Sequence, residues 1–255
     1  MKVISVVSGK GGVGKSTTVA NLGIALAQFG KDVTIVDANF STPDLTMHFN
    51  IPMGTPTLHH VMGGEYELED ALHIHPSGMK IIPGSLSVYD IKKARYTRLE
   101  RYVEKLSKKG DFVILDTQAG LGPEVTAAIA ASDEVLVVTN PDWPSITNAL
   151  KTILISREHG AKIMGVVMNK VRKDKIEPNL HNVESILEAK VVAVVPEDAA
   201  VRDAISRKNP VVASHPDSDA AIAFKQLAAH IAGVEYKPPG KWRRRINVLL
   251  KRLIG

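Results

Sequence analysis

The sequence predicts one doubly wound α/β domain, a single mostly parallel sheet with helices on both faces. Three observations point to it. Short, near-continuous aliphatic runs recur along the chain with helical spacing between them; a glycine-rich turn joins the first run to the first helix; and two runs end in aspartate, at Asp37 and Asp116. Unbroken aliphatic runs mark strands buried on both faces, which helices on both sides of a parallel sheet provide. A chain of 255 residues is long enough for one such domain and needs no second core.

Taken in order, residues 2–7 read as the first strand and residues 19–27 carry helical apolar spacing, in a helix beginning near Lys15. Residues 32–37 form a second strand and residues 79–82, bounded by Gly78 and Pro83, another. Further strands are expected at 112–116, 134–138, 162–168 and 191–195, and helices at 99–108, 123–131, 145–158, 184–189, 198–205 and 219–232. The domain is expected to span residues 1–234. Residues 235–240 read as a linker, because the adjacent Pro238 and Pro239 cannot continue a helix.

Composition excludes several classes. Hydrophobic residues make up 44% and charged residues 23% of the chain, as in a soluble globular protein. No apolar run approaches the roughly 18 residues needed to cross a bilayer, and residues 2–7 are too short for a secretory h-region. A cytoplasmic protein is expected. With 0 cysteines, disulfides, thiolate catalysis and cysteine-ligated zinc or iron–sulfur centres are excluded. The pairs His59-His60 and His73/His75 have no acidic partner at helical ligand spacing, so no metal is assigned to them. Trp143, between Asp142 and Pro144, suits either a partner contact or a packed loop.

The chemistry centres on Gly9-Lys10-Gly11-Gly12-Val13-Gly14-Lys15-Ser16-Thr17-Thr18, which fits the phosphate-binding pattern G-x-x-x-x-G-K-[ST]. A tight turn would also use glycine, but strand, full pattern and helix occur here in the order the motif requires. Glycines let the backbone wrap a polyphosphate with its N–H groups inward, and the helix N-terminus points its positive dipole end at the same oxygens. Lys15 is expected at the β- and γ-phosphates and the Ser16 hydroxyl on Mg²⁺. Lys10 adds a second cation to a loop that already has one. Two lysines call for more anionic partners than one subunit's loop presents.

This stretch resembles the deviant Walker A ATPases of the MinD/ParA group, most of all archaeal-type MinD, and the resemblance runs to about residue 234. It implies ATP as nucleotide and an ATP-sandwich homodimer in which Lys10 of each subunit crosses to the phosphates held by the other. It also implies a Walker B role for Asp116, orienting Mg²⁺ through water, and a first-switch role for Asp37. Two positions depart from the group. Asn39 stands where the second aspartate of Asp-x-Asp organises the attacking water, and Gln118 replaces the usual proline in Asp116-Thr117-Gln118-Ala119-Gly120. Asparagine can orient a water but not take its proton, so slow hydrolysis is expected. Asp44 could substitute, though a turn residue after Pro43 is the plainer reading. Asn169, followed by Lys170, resembles the group's base-contacting asparagine, and Pro196-Glu197-Asp198 the loop that closes over adenine.

The chain's +5 net charge is concentrated at its end: seven basic residues and no acidic one lie between 237 and 255, so the remainder is net acidic. At about 100° per residue, Trp242, Ile246, Leu249, Leu250 and Leu253 share one face of a helix over 241–255, opposite Arg244, Asn247 and Lys251. Such a basic amphipathic helix suits an anionic membrane surface. A helix packed on its own domain, or arginines neutralising DNA phosphates, are the alternatives; five aligned apolar residues are poorly explained by DNA. The sequence thus points to a membrane-associated ATPase that positions an unidentified client protein. A DNA-partition or motility-regulating ATPase and a catalytically weak nucleotide-binding scaffold stand behind it.

Overall fold

A computed structural model describes residues 1–93, 95–172 and 178–239. Its eight strands are β1 (Lys2–Ser8), β2 (Val33–Ala38), β3 (His73–Ile74), β4 (Lys80–Ile82), β5 (Phe112–Ala119), β6 (Glu134–Thr139), β7 (Lys162–Val171) and β8 (Val191–Pro196). They form one sheet in the order β3-β4-β2-β5-β1-β6-β7-β8. Every pairing is parallel except β3 with β4, where His73 faces Ile81 across an antiparallel edge. The predicted doubly wound sheet is therefore the observed one. The chain winds outward on one side of β1 through β2 and β5, and on the other through β6 to β8. Open α/β sheets bind ligands at such a reversal, beyond the carboxyl ends of the strands.

The helices are α1 (Lys15–Gln28), α2 (Leu45–His48), α3 (Leu58–Gly63), α4 (Val88–Lys93), α5 (Leu99–Ser107), α6 (Pro123–Ala130), α7 (Trp143–Glu158), α8 (Leu180–Leu187), α9 (Ala199–Ser206), α10 (Val211–Ser214) and α11 (Asp219–Ala232). Alternation along each strand feeds two faces. Ile4, Val6, Ile35, Ile114 and Leu136 pack under α1 and α11 with Leu22, Phe224 and Leu227. The intervening Val3, Val36 and Leu115 meet Leu58, Val61 and Val103 of α3 and α5, while Val7, Val135 and Val137 meet Ile129, Ile146 and Val183 of α6 to α8. Both faces are covered, which is why the strands carry no polar stripe.

Three local expectations change. The helix expected at 184–189 begins at Leu180, because the Asn179 side chain accepts from the His181 N–H at 2.8 Å, and ends at Leu187, where Glu188 turns left-handed with φ 48°. The region between residues 39 and 75 holds α2, α3 and β3, all too short to show a period. The start of the linker is fastened, since Tyr236 sets its ring edge-on against Phe29 with centroids 5.8 Å apart. Residues 240–255, including the amphipathic face from Trp242 to Leu253, lie outside the described residues.

Candidate active site

The loop after β1 owes its shape to glycine. Gly12 and Gly14 take φ of 77° and 94°, values that side chains with a Cβ rarely adopt. A Cβ on Gly14 would also strike the Asn169 amide, and one on Gly9 the Asn148 carbonyl of α7. Val13 is buried and ties the loop to the core. From the protein side, Asn169 Nδ2 donates to the Val13 carbonyl at 2.7 Å, Lys170 Nζ to that of Gly12 at 2.6 Å and Thr18 Oγ1 to that of Gly14 at 2.8 Å. With these carbonyls held, the opposite edges of the peptide planes, their N–H groups, form an anion cradle at the start of α1.

The two lysines face different ways. Lys15 is buried at 7% exposure, with Nζ 2.5 Å from Asp116 Oδ1, whereas Lys10 is exposed. Asp37 and Asp116 lie side by side in β2 and β5, paired across the sheet and both fully buried; β5 continues past Asp116 to Ala119, beyond the end expected from the sequence. Each Asp37 oxygen accepts one backbone N–H, from Asn39 at 3.2 Å and from Leu45 at 3.0 Å. Asp116 Oδ2 is buried without a hydrogen-bond partner among the described residues. Burial raises both carboxyls above the ordinary aspartate range. For Asp37, whose shift is the larger, the charges of Asp116 and Asp44 add to it; for Asp116 the Lys15 ammonium opposes it.

This donor set fits Mg²⁺. A hydroxyl and two carboxylates are hard oxygen donors, and the orphaned Asp116 Oδ2 has a lone pair to give to a metal-bound water. Ser16, Asp37 and Asp116 are the residues that would hold the ion, which supplies charge neutralisation of the β- and γ-phosphates. The carboxyl shifts have a pH consequence. A raised folded-state pKa means folding favours the protonated form, so stability is lost as pH climbs from the ordinary aspartate range through the raised value. A bound cation removes that cost. Mg-ADP should therefore raise the melting temperature more near neutral pH than at mildly acidic pH; an equal gain at both would contradict this assignment.

Lys15, Ser16 and the loop glycines Gly11, Gly12 and Gly14 line a cleft of about 580 Å³, within the usual size range of small-molecule sites, with Asp37 and Asp116 buried behind Lys15. Its lining joins Lys15, Ser16, Asn39, Asp44, His48 and Gln118 to Asn169, Pro196, Asp198, Val201, Ile205 and Phe224. Phosphate-binding groups and apolar side chains thus share one cavity. Glu197 stands at the rim, its carboxylate 3.0 Å from Arg172 Nε and 3.8 Å from Arg202. Asp198 is committed structurally, accepting from the Ala200 N–H at 2.9 Å to cap α9 and from the Ala220 N–H at 3.2 Å. Of the expected nucleotide-site residues, Gly11, Gly12, Gly14, Lys15, Ser16, Thr17, Asn39, Asn169, Pro196, Glu197 and Asp198 line the cleft; Gly9, Lys10, Val13, Thr18, Asp37 and Asp116 do not, and Asn39 is bonded within its own turn. Its Nδ2 donates to the Thr42 carbonyl, and its Oδ1 accepts from Thr42 N–H and Oγ1, both at 3.2 Å. Both ends of the amide that was to orient a water are spent on this turn.

Sequence reading missed His48, Lys170 and Asn140. His48 is buried in the cleft wall, and burial lowers its pKa despite the nearby Asp44 and Asp116 charges. Lys170 adopts φ 57° to reach the loop. Asn140, with its nitrogen turned toward them, donates to the Val13 and Asn169 carbonyls. His59 is a core residue, bonded to the Phe40 carbonyl and the Ser85 N–H at 3.0 Å each. Trp143 opens α7 and is 55% exposed.

A glycine cradle, a buried lysine and aspartates paired across adjacent strands at the reversal of a doubly wound sheet define a P-loop nucleotide-binding protein. Residues 4–211 match the family described as CobQ/CobB/MinD/ParA nucleotide binding domain, and the chain belongs to that family. It is 36% identical over 254 residues to an uncharacterized ATP-binding protein of Methanocaldococcus jannaschii, covering 99% of this chain and 96% of that one. It is 31% identical over 267 residues to the antiactivator FleN of Pseudomonas aeruginosa, covering 100% and 94%. Among solved structures it superposes with a TM-score of 0.87, at 31% identity and over 90% of this chain and 95% of the other, on the septum site-determining protein MinD of Pyrococcus horikoshii complexed with Mg-ADP.

Proposed function

We propose that the protein is a MinD-type ATPase whose two copies close face to face on Mg-ATP, attach through residues 241–255 to an anionic membrane surface on the cytoplasmic side, and recruit a client protein until hydrolysis separates them. The observation that carries this reading is the opposed placement of the two loop lysines. Lys15 lies inside the cleft against Asp116, within reach of the phosphates its own loop cradles. Lys10 is exposed and is not among the residues lining the cleft, and a second copy's nucleotide is the anion that would engage it.

Phosphoryl transfer depends on positioning and charge more than on covalent chemistry. The cradle and Lys15 hold the β- and γ-phosphates; Ser16, Asp37 and Asp116 fix the metal; the apolar side chains of Val201, Ile205 and Phe224 take the base. Asn39 itself supplies no base for the attacking water, and the closed pair lasts until the γ-phosphate is hydrolysed. Two weakly binding tails on one particle gain avidity on the order of 10²–10⁴ without a new contact, so the nucleotide state sets membrane attachment.

Sedimentation with anionic liposomes tests this. The full chain should pellet with Mg-ATP and stay in solution with ADP, and a chain ending at residue 240 should stay in solution with either while still binding ATP. Equal pelleting of the shortened chain would remove the tail as anchor. The match to an antiactivator along the whole chain supports a regulatory ATPase as second reading. Pelleting with DNA in place of liposomes would instead favour the partition reading.

A further inference from the structure

We propose that Asp44 is the carboxylate that orients and deprotonates the water attacking ATP, in the place Asn39 leaves empty. The proposal rests on the reading of the cleft as an ATPase site and names the group that completes its chemistry. Three carboxylates and Asn39 are the candidates for holding the water, and three of these four side chains are already bonded within the protein. Asn39 is bonded at both ends to Thr42. Asp37 is fastened by two backbone N–H groups, and Asp116 holds Lys15.

Gln118 Oε1 and Asp116 Oδ2 are also buried without a partner among the described residues, but an amide cannot take the proton and Asp116 is held by Lys15; Asp44 is the carboxylate left. It precedes α2 without capping it, since its side chain makes no bond to the helix N-terminus. It lines the cleft, and its Oδ1 is buried with no hydrogen-bond partner among the described residues. A buried, unpaired carboxylate oxygen is costly and is kept where a ligand satisfies it. Its charge is felt at Asp37, Asp116 and His48, which places it among the groups that would surround the γ-phosphate. His48, one turn along α2, is buried in the same wall. The fold holds Asp44 there because Leu45, its neighbour, is fully buried and gives its N–H to Asp37.

The step balances within these groups. Asp44 accepts one proton of the water as its oxygen bonds to the γ-phosphorus. The bond from that phosphorus to the bridging oxygen breaks, and its electron pair leaves with ADP. The proton then passes from Asp44 to the released phosphate. A residue that takes a proton in the transition state contributes about 10²–10⁴ in rate.

The experiment compares the full chain with Asp44→Asn, measuring equilibrium ATP affinity, turnover at saturating Mg-ATP and the identity of the nucleotide that stays bound. The expected result is parent-like affinity, turnover lower by about 10²-fold, and bound nucleotide recovered as ATP rather than ADP. Asp44→Ser, equally suited to precede a helix, should behave the same and carries the test if the asparagine variant folds poorly. A parent-like rate in either folded variant overturns the proposal. So does a loss of ATP affinity that matches the loss of rate, which would make Asp44 a binding group. A parent chain that binds no ATP fails the ATPase reading itself and is distinguishable from both.

Discussion

Lys15→Ala should lose nucleotide affinity by about 10²–10³-fold. Truncating one member of a desolvated charge pair costs about 2–5 kcal/mol, and each 1.4 kcal/mol is about a factor of ten. Here the ammonium is 7% exposed and sits 2.5 Å from a fully buried carboxylate, so water cannot replace it. Loss of fold is a smaller effect than the burial suggests. Asp116 is already pushed up by burial and can take a proton when its cation is removed, which spares the fold a bare buried charge. Titration calorimetry with Mg-ADP reads the affinity, and thermal denaturation without nucleotide reads the fold. A variant that binds within a few-fold of the parent would take Lys15 out of the phosphate site.

Lys10→Ala should separate binding from assembly. The side chain is exposed, and an exposed ammonium adds little to an anion bound on the inner face of the same loop. Capture of one ATP by one copy should therefore change little. The proposed closure of two copies on two nucleotides is different, because it would desolvate Lys10 against phosphate, where a charge pair is worth far more than in water. Loss of Lys10 then leaves anionic charge uncompensated at the centre of the assembly. ATP-dependent pairing and turnover should fall together while monomer affinity for ATP holds.

Most of the fold was legible because its strands are buried on both faces. Runs such as residues 33–38 and 134–139 carry no polar stripe, and nothing but a covered parallel sheet accommodates them. The phosphate loop was legible for a similar reason: Gly14 must be glycine, since it takes a positive φ against the Asn169 amide. What could not be read is the switch region. α2 and α3 have four and six residues, too few for a helical period, so the burial of His48 and His59 had no signature. Asn39 is ambiguous for a physical reason. Asparagine both orients water and closes Asx turns, and only the position of Thr42 selects between the two. Asp44 carries the same ambiguity in reverse, since a residue after proline that precedes a helix reads as a cap, yet this one caps nothing.

The most direct test is the particle mass, by light scattering, of the full chain and of Lys10→Ala with saturating Mg-ATP and with Mg-ADP. A doubled mass with ATP in the full chain, a single-copy mass with ADP, and a single-copy mass for Lys10→Ala with either nucleotide, at unchanged ATP affinity, is the predicted result. A Lys10→Ala protein that doubles its mass on ATP and turns it over at the parent rate would contradict the sandwich.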